Sequence, residues 1–68
     1  MQQKNLTDVE LNVLNVVRNE HLPSYEILKR VDKISMLLSL YNVIDKLKKE
    51  GKIKSYIKGN VKYHFAAV

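Results

Sequence analysis

The sequence has no cysteine, no tryptophan, two glycines and a single proline among its 68 residues. Without cysteine the chain cannot form a disulfide, and a zinc site built on thiolates is excluded. No apolar run approaches the roughly 20 residues that cross a bilayer, and the opening MQQKN is too polar for a signal peptide. We therefore expect a cytoplasmic protein that has no membrane segment.

Side chains that carry out catalysis are also scarce. The two histidines, His21 and His64, are far apart and lack the spacing of metal ligands, and the chain has no glycine-rich phosphate loop or cluster of carboxylates. Neither a set of catalytic residues nor a substrate cavity is indicated. We expect no metal, no cofactor, no small-molecule ligand and no enzymatic activity.

The length of the chain supports one domain, residues 1–68. A chain of this size buries only about 60% of its extended surface on folding, which leaves it marginally stable. Close helix packing or self-association must then stabilise it. We expect a homodimer.

The net charge of +5 is concentrated at one end of the chain. Residues 1–45 contain five basic and six acidic side chains, whereas residues 46–68 contain seven lysines and one acid, Glu50. Solvation of a surface does not require this asymmetry. A basic segment of this kind indicates contact with phosphate, and hence with nucleic acid.

Capping signals and apolar periodicity predict three helices, at about residues 8–19, 25–31 and 36–50. Thr7 and Glu10 have the spacing of a capping box before the first helix. His21-Leu22-Pro23 breaks this helix, because Pro23 cannot continue it. Ser24 is then the expected N-cap of the second helix.

The third predicted helix has two distinct stripes. Its apolar stripe, which we expect to face the core, contains Leu37, Leu40, Ile44 and Leu47. Its polar stripe contains Ser35, Ser39, Asn42, Lys46 and Lys49. Either Ser35 or Ser39 is the expected cap, and Gly51 is expected to end the helix.

Alternating residues at about positions 53–65 predict a β-hairpin with its turn at Lys58-Gly59-Asn60. Ile53, Ser55 and Ile57 share one strand face. Val61, Tyr63 and Phe65 share a face of the second strand, and we expect Tyr63 and Phe65 to point to the core. The predicted fold class is α+β, mostly helical: three helices followed by a two-stranded hairpin.

Three segments resemble known regulators. SLYNVIDKLKKEGKI, residues 39–53, is similar to the T-V-Y-R-x-L-x-x-L-x-x-x-G-x-I segment of the PadR and MarR families. LTDVELNVL, residues 6–14, resembles the first helix of the penicillinase-repressor (BlaI/MecI) group, and residues 59–65 resemble the wing of such proteins. The resemblance covers residues 6–65. It implies a winged helix-turn-helix fold and a transcriptional regulator that binds double-stranded DNA in a sequence-specific manner.

In that fold the third helix, residues 39–50, enters the major groove. Ser39 and Asn42 are small and can donate and accept hydrogen bonds at base edges. The other expected DNA contacts lie on sugar, phosphate or the adjacent minor groove: Tyr41, Lys46, Lys49, Lys58, Asn60 and Lys62. Asp45 repels phosphate unless it pairs with Lys48 or Lys49.

Other interpretations remain open at this point. Asn42 also fits a solvated helix position, and Tyr41 also fits the edge of the core. Leu38 cannot easily face the core and suits a DNA groove poorly, which favours an alternative function: a winged helix that binds a protein, as an antirepressor or assembly subunit. Single-stranded nucleic acid would require exposed aromatic rings, for which the sequence offers Tyr56 and the two rings expected in the core.

Overall fold

The computed structural model of the protein describes residues 7–67, which form three helices and one antiparallel sheet. In chain order the elements are α1 (Asp8–Val16), β1 (Leu22–Pro23), α2 (Ser24–Arg30), α3 (Leu37–Lys49), β2 (Ile53–Lys58) and β3 (Val61–Ala66). The order of strands in the sheet is β1-β3-β2. The predicted α+β class is confirmed, but the predicted two-stranded sheet is wrong, because β1 adds a third strand.

Helix α1 begins as predicted, with a capping box. The Glu10 amide donates to Thr7 Oγ1 over 3.1 Å, and the Thr7 amide donates to Glu10 Oε1 over 3.0 Å. The predicted end at Asn19 is wrong, because α1 ends earlier in the chain. The carbonyl of Val17 accepts a hydrogen bond of 3.1 Å from the amide of Ala66, so the chain joins the sheet where the helix was expected to continue.

The segment before α2 is a short strand that leads directly into the helix. The two residues of β1 lie opposite His64 and Tyr63 of β3, a pairing that a proline tolerates at a sheet edge. Pro23 thereby takes the N-cap position, and Ser24 becomes the first residue of α2. The prediction that Ser24 caps the helix is wrong, since its hydroxyl bonds the ring of His64. Helix α2 ends at Arg30, one residue before the predicted end.

Helix α3 buries three residues of the predicted apolar stripe, Leu40, Ile44 and Leu47. Leu37 was also expected to face the core, and this prediction is wrong, because Leu37 lies in the first turn of the helix and is 39% exposed. The start of α3 differs from the prediction, because Met36 occupies the N-cap position and no side chain caps the helix. The Met36 carbonyl accepts the first helical bond, from the Leu40 amide at 3.1 Å. Neither Ser35, which precedes the cap, nor Ser39, which lies inside the first turn, is the cap.

Gly51 ends α3, as predicted. Its φ of +77° lies in the left-handed region, which glycine adopts without steric cost. The Gly51 amide donates to the Lys48 carbonyl over 3.0 Å, and the Lys52 amide donates to the Leu47 carbonyl over 2.9 Å. These two bonds satisfy the last carbonyls of the helix and turn the chain into β2.

The turn between β2 and β3 lies within the predicted segment. Gly59 and Asn60 have φ values of +60° and +68°, which are typical of a two-residue type I′ turn. The turn sets a register in which Tyr56 lies opposite Tyr63.

The two faces of the hairpin differ from the prediction. The buried residues Ile53 and His64 share the face toward the helices, because side chains alternate along each strand. Tyr63 and Phe65 lie on the opposite face and are half-exposed. The prediction that these two rings point to the core is therefore wrong.

The core joins all three helices to the sheet. Its most completely buried side chains are Val13, Leu14, Val17, Ile27, Leu40, Leu47 and Ile53. Burial of one such side chain contributes about 1.5–3 kcal/mol, so this cluster holds α3 against its neighbours. Within the described residues, no helix has the length and apolar character needed to span a membrane.

Candidate nucleic-acid interface

An open groove of about 570 Å³ lies between α3 and β3, beside the first residue of α2. Its lining comes from α3 (Tyr41, Asn42, Ile44, Asp45 and Lys48), from β3 (Lys62 and His64) and from α2 (Ser24). The groove thus combines positive charge with groups that donate and accept hydrogen bonds.

The helical period gives α3 a buried side, an outer side and two flanks. The outer side, opposite the buried residues, carries the exposed side chains Leu38, Asn42, Asp45 and Lys49. Tyr41 and Lys48 lie on the flank that lines the groove. Lys46 lies on the other flank, toward α1.

Three of the predicted DNA-binding residues meet in the groove: Tyr41, Asn42 and Lys62. Ser39 is exposed in the first turn of α3, and Lys49 is exposed in its last turn. Lys58 and Asn60 are exposed at the tip of the hairpin.

Lys46 does not join this group, because it binds a buried acid of α1. Its Nζ lies 2.8 Å from Glu10 Oε2, and the Glu10 side chain is 6% exposed against 56% for Lys46. The hydrogen bond from Lys46 is the main reason that the pKa of the Glu10 carboxyl lies below its usual value. The same bond raises the pKa of Lys46. This lysine ties α3 to α1.

Ion pairs divide the lysines of the C-terminal third into two sets. Lys49 pairs with Asp45 over 3.6 Å, one of the two pairings that would offset the repulsion between that acid and phosphate, and Lys52 Nζ lies 3.5 Å from a carboxylate oxygen of Glu50. Within residues 7–67, the lysines of this third that have no carboxylate at ion-pair distance are Lys48, Lys54, Lys58 and Lys62.

Lys48 is the groove residue that the sequence reasoning missed. The predicted polar stripe passed through Lys46 and Lys49 and left out the lysine between them. A helical wheel centred on Leu40, Ile44 and Leu47 places Lys48 on the same flank as Tyr41, which lies two turns before it. That wheel needs only the sequence and would have found it.

His64 lies at the base of the groove and is 4% exposed. Its Nε2 lies 3.0 Å from Ser24 Oγ, and its Nδ1 lies 2.7 Å from Ser55 Oγ. Burial, reinforced by the positive charges of Lys48 and Lys62, lowers the pKa of His64 to about 4. The ring is therefore neutral at pH 7, and within the described residues no group of three metal-binding side chains comes together around it or elsewhere.

By its chemistry, the groove offers two lysines, an amide side chain and a tyrosine hydroxyl around a neutral floor, together with the carboxylate of Asp45, which is paired with Lys49. Lysine binds phosphate as a point charge, and an asparagine can read an adenine through two hydrogen bonds. Comparisons of the chain with protein families, with characterised proteins and with solved structures return no match.

Proposed function

We propose that this protein is a winged helix-turn-helix domain that binds double-stranded DNA sequence-specifically and regulates transcription. Helices α2 and α3 form the helix-turn-helix, and the β2–β3 hairpin forms the wing. The groove is the observation that carries the proposal, since Lys48 from α3 and Lys62 from the hairpin line a single opening. Positive charge from two elements at one opening fits the backbone of a duplex.

Base reading falls to the outer side of α3. Asn42 is exposed there and borders the groove, and Ser39 is exposed one turn earlier, next to the outer side on the flank that carries Lys46. Both side chains are short, so the helix backbone can approach the base edges in the major groove. Asn42 is the residue that we expect to select an adenine.

The backbone contacts come from the groove and the hairpin tip. Lys48, Lys62 and the hydroxyl of Tyr41 bind phosphates beside the major groove, where charge sets position and not sequence. Lys58 and Asn60 reach the adjacent minor groove or its phosphates. The pairing of Asp45 with Lys49 reduces the repulsion between that acid and the DNA.

A homodimer is part of the proposal. Two copies present two recognition helices to half-sites about 34 Å apart, and association adds stability to a small domain. Helix α1 offers a surface for this contact, because Leu11 is 39% exposed and Val16 is half-exposed.

Selection of bound duplexes from a random pool tests the proposal, with the mass of the complex measured by light scattering. We expect enrichment of a two-fold symmetric site and a mass of two chains per duplex. Asn42→Ala should relax selection at one position of each half-site, whereas Lys48→Ala should weaken binding to all sequences alike. A pool that binds without enrichment would contradict sequence-specific reading, and a pool that does not bind would contradict the function.

A protein-binding role is the second candidate, and the start of α3 favours it. Leu38 is 70% exposed and Met36 is 62% exposed, and adjoining apolar side chains on a surface mark interaction sites. In this role the domain is an antirepressor or an assembly subunit. Leu38→Asp would then abolish a complex with the partner while Lys48→Ala and Lys62→Ala leave that complex intact.

A further inference from the structure

The face of the hairpin that points away from the helices carries a cluster of aromatic rings, here called the aromatic face: His21, Tyr56, Tyr63 and Phe65. Tyr56 and Tyr63 are stacked, with centroids 5.7 Å apart and planes at 16°. His21 and Phe65 are stacked at 4.7 Å and 23°. A hydrogen bond of 2.8 Å between His21 Nδ1 and the Tyr56 hydroxyl joins the two pairs.

The aromatic face is open. The residues of β2 and β3 on this side of the hairpin are all exposed or half-exposed: Lys54, Tyr56, Lys58, Val61, Tyr63 and Phe65. The buried strand residues Ile53 and His64 belong to the other side, as does Lys62 of the groove. The sheet thus separates the aromatic face from the groove.

The charge on the aromatic face is of one sign. Lys54 and Lys58 stand two residues before and two residues after Tyr56, so the three side chains point the same way. Neither lysine has a carboxylate at ion-pair distance within residues 7–67. Neither strand places an acidic residue on this side.

We propose that the aromatic face binds single-stranded nucleic acid, in addition to the duplex binding proposed for the groove. Unpaired bases stack on the tyrosine and phenylalanine rings, and Lys54 and Lys58 bind the phosphates between them. Rings on the surface of a sheet stack on bases whose faces are free, and the bases of an intact duplex are stacked on one another. Protein interfaces are depleted in lysine, so the charge on this face favours nucleic acid over a protein partner.

Stacked rings across two strands also stabilise a hairpin without any ligand. If the rings only stabilise the hairpin, the protein should bind an oligonucleotide and an abasic oligomer equally well. A comparison of these two ligands therefore separates the two explanations. The probe is a fluorescein-labelled oligothymidylate of about 12 nucleotides, within the usual range of single-strand sites. Its control is an abasic oligomer of equal length and charge, and binding to each is followed by fluorescence anisotropy.

We expect the full chain to bind the oligothymidylate at least about 5-fold more tightly than the abasic oligomer, the effect of one stacked base. Tyr56→Leu should reduce this preference, because Tyr63 and Phe65 remain, and Tyr56→Phe should keep it. Tyr25→Leu is the matched control, because Tyr25 is exposed on α2 and belongs to neither strand of the aromatic face, and it should change nothing. A uridylate oligomer of the same length shows whether RNA is bound as well as DNA.

Equal affinity of the wild type for the two oligomers would overturn the proposal, and this result does not depend on any variant being folded. Unchanged preference in a folded Tyr56→Leu protein would overturn it too. A mass of two chains that Tyr56→Leu reduces to one, without preference for bases, would identify a contact between copies instead. Duplex affinity is measured separately on the same samples, so failure of the groove to bind DNA is distinguishable from failure of the aromatic face.

Discussion

At the scale of single residues, the buried ring of His64 couples the stability of the protein to pH. Burial and two nearby lysines lower the pKa of His64 to about 4, from 6.5 for an unperturbed histidine. Between these pH values the unfolded chain binds a proton that the folded protein does not. The contribution of the neutral ring to the free energy of unfolding is therefore complete above about pH 6.5 and is lost as the pH falls toward 4.

Urea denaturation at a series of pH values measures this effect. One pKa unit corresponds to about 1.4 kcal/mol, so the loss between about pH 6.5 and pH 4 approaches about 3 kcal/mol. His64→Asn, which can still bond the two serines, should flatten the curve above the range in which carboxylates titrate. A wild-type curve that is already flat in this interval would show that the ring is not buried in solution.

Lys46 should matter for stability more than the other paired lysine of α3. Lys46→Ala leaves Glu10, whose side chain is 6% exposed, without its cationic partner, and a buried charge that loses its counter-charge is strongly destabilising. Lys49→Ala is the matched control, because its partner Asp45 is 66% exposed and exposed pairs contribute below about 1 kcal/mol.

Thermal unfolding of the two variants decides the point. We expect Lys46→Ala to lower the Tm clearly and Lys49→Ala to leave it nearly unchanged. Equal Tm values for the two variants would mean that water solvates Glu10 after the loss of Lys46 and that the ion pair between α1 and α3 does not stabilise the protein.

At the scale of the elements, the end of α3 depends on one backbone conformation. A Cβ at Gly51 would meet no atom within 4 Å, so only the φ of +77° opposes a larger residue. We expect Gly51→Ala to destabilise the protein by about 1–2 kcal/mol. In thermal unfolding this corresponds to a fall of roughly 4–8 °C per kcal/mol for a domain of this size.

Gly51→Asn provides the comparison, since asparagine enters the left-handed region at lower cost. The Tm of Gly51→Asn should lie between those of the wild type and Gly51→Ala. An alanine variant as stable as the wild type would indicate that α3 ends differently in solution.

The elements that the sequence predicts correctly are those set by near neighbours. The capping box of α1, the apolar stripe of α3, its end at Gly51 and the hairpin turn each depend on residues within a few positions of one another. Strand β1 is different, because two residues become a strand only through pairing with β3, some 40 positions later in the chain. For the same reason the bond between Ser24 and His64 has no local signal.

The sequence predicts the candidate site less completely than the fold. Asn42 and Tyr41 are found because the helix period places them away from the core, but their proximity to Lys62 depends on how the hairpin packs against α3. The prediction put the rings of Tyr63 and Phe65 on the wrong face of the hairpin for another reason. Both faces of the hairpin carry apolar residues, so alternation alone does not identify the buried one. The two-residue turn pairs Tyr56 with Tyr63 and so puts these rings on one face. Packing of Ile53 and His64 against the helices makes the other face the buried one.

At the scale of the whole molecule, the excess positive charge is distributed over two surfaces. Lys48 and Lys62 lie on the groove, and Lys54 and Lys58 lie on the aromatic face, with Lys58 at the hairpin tip. Lys46, Lys49 and Lys52 are paired with acids. The charge asymmetry of the sequence therefore overstates the charge that is free to meet phosphate, while its location at the C-terminal third is retained.

The central claim is that the groove between α3 and the hairpin binds duplex DNA through Lys48 and Lys62. The affinity for a duplex, measured by anisotropy over a range of salt concentrations, tests it most directly. We predict a logarithm of the affinity that falls linearly with the logarithm of salt, by about 0.9 for each phosphate neutralised. Lys48→Ala and Lys62→Ala should each reduce this slope by about 1, whereas Arg18→Ala, an equal change of charge beyond α1, should leave it unchanged. Undetectable duplex binding at low salt, or one slope shared by all the variants, would contradict the claim.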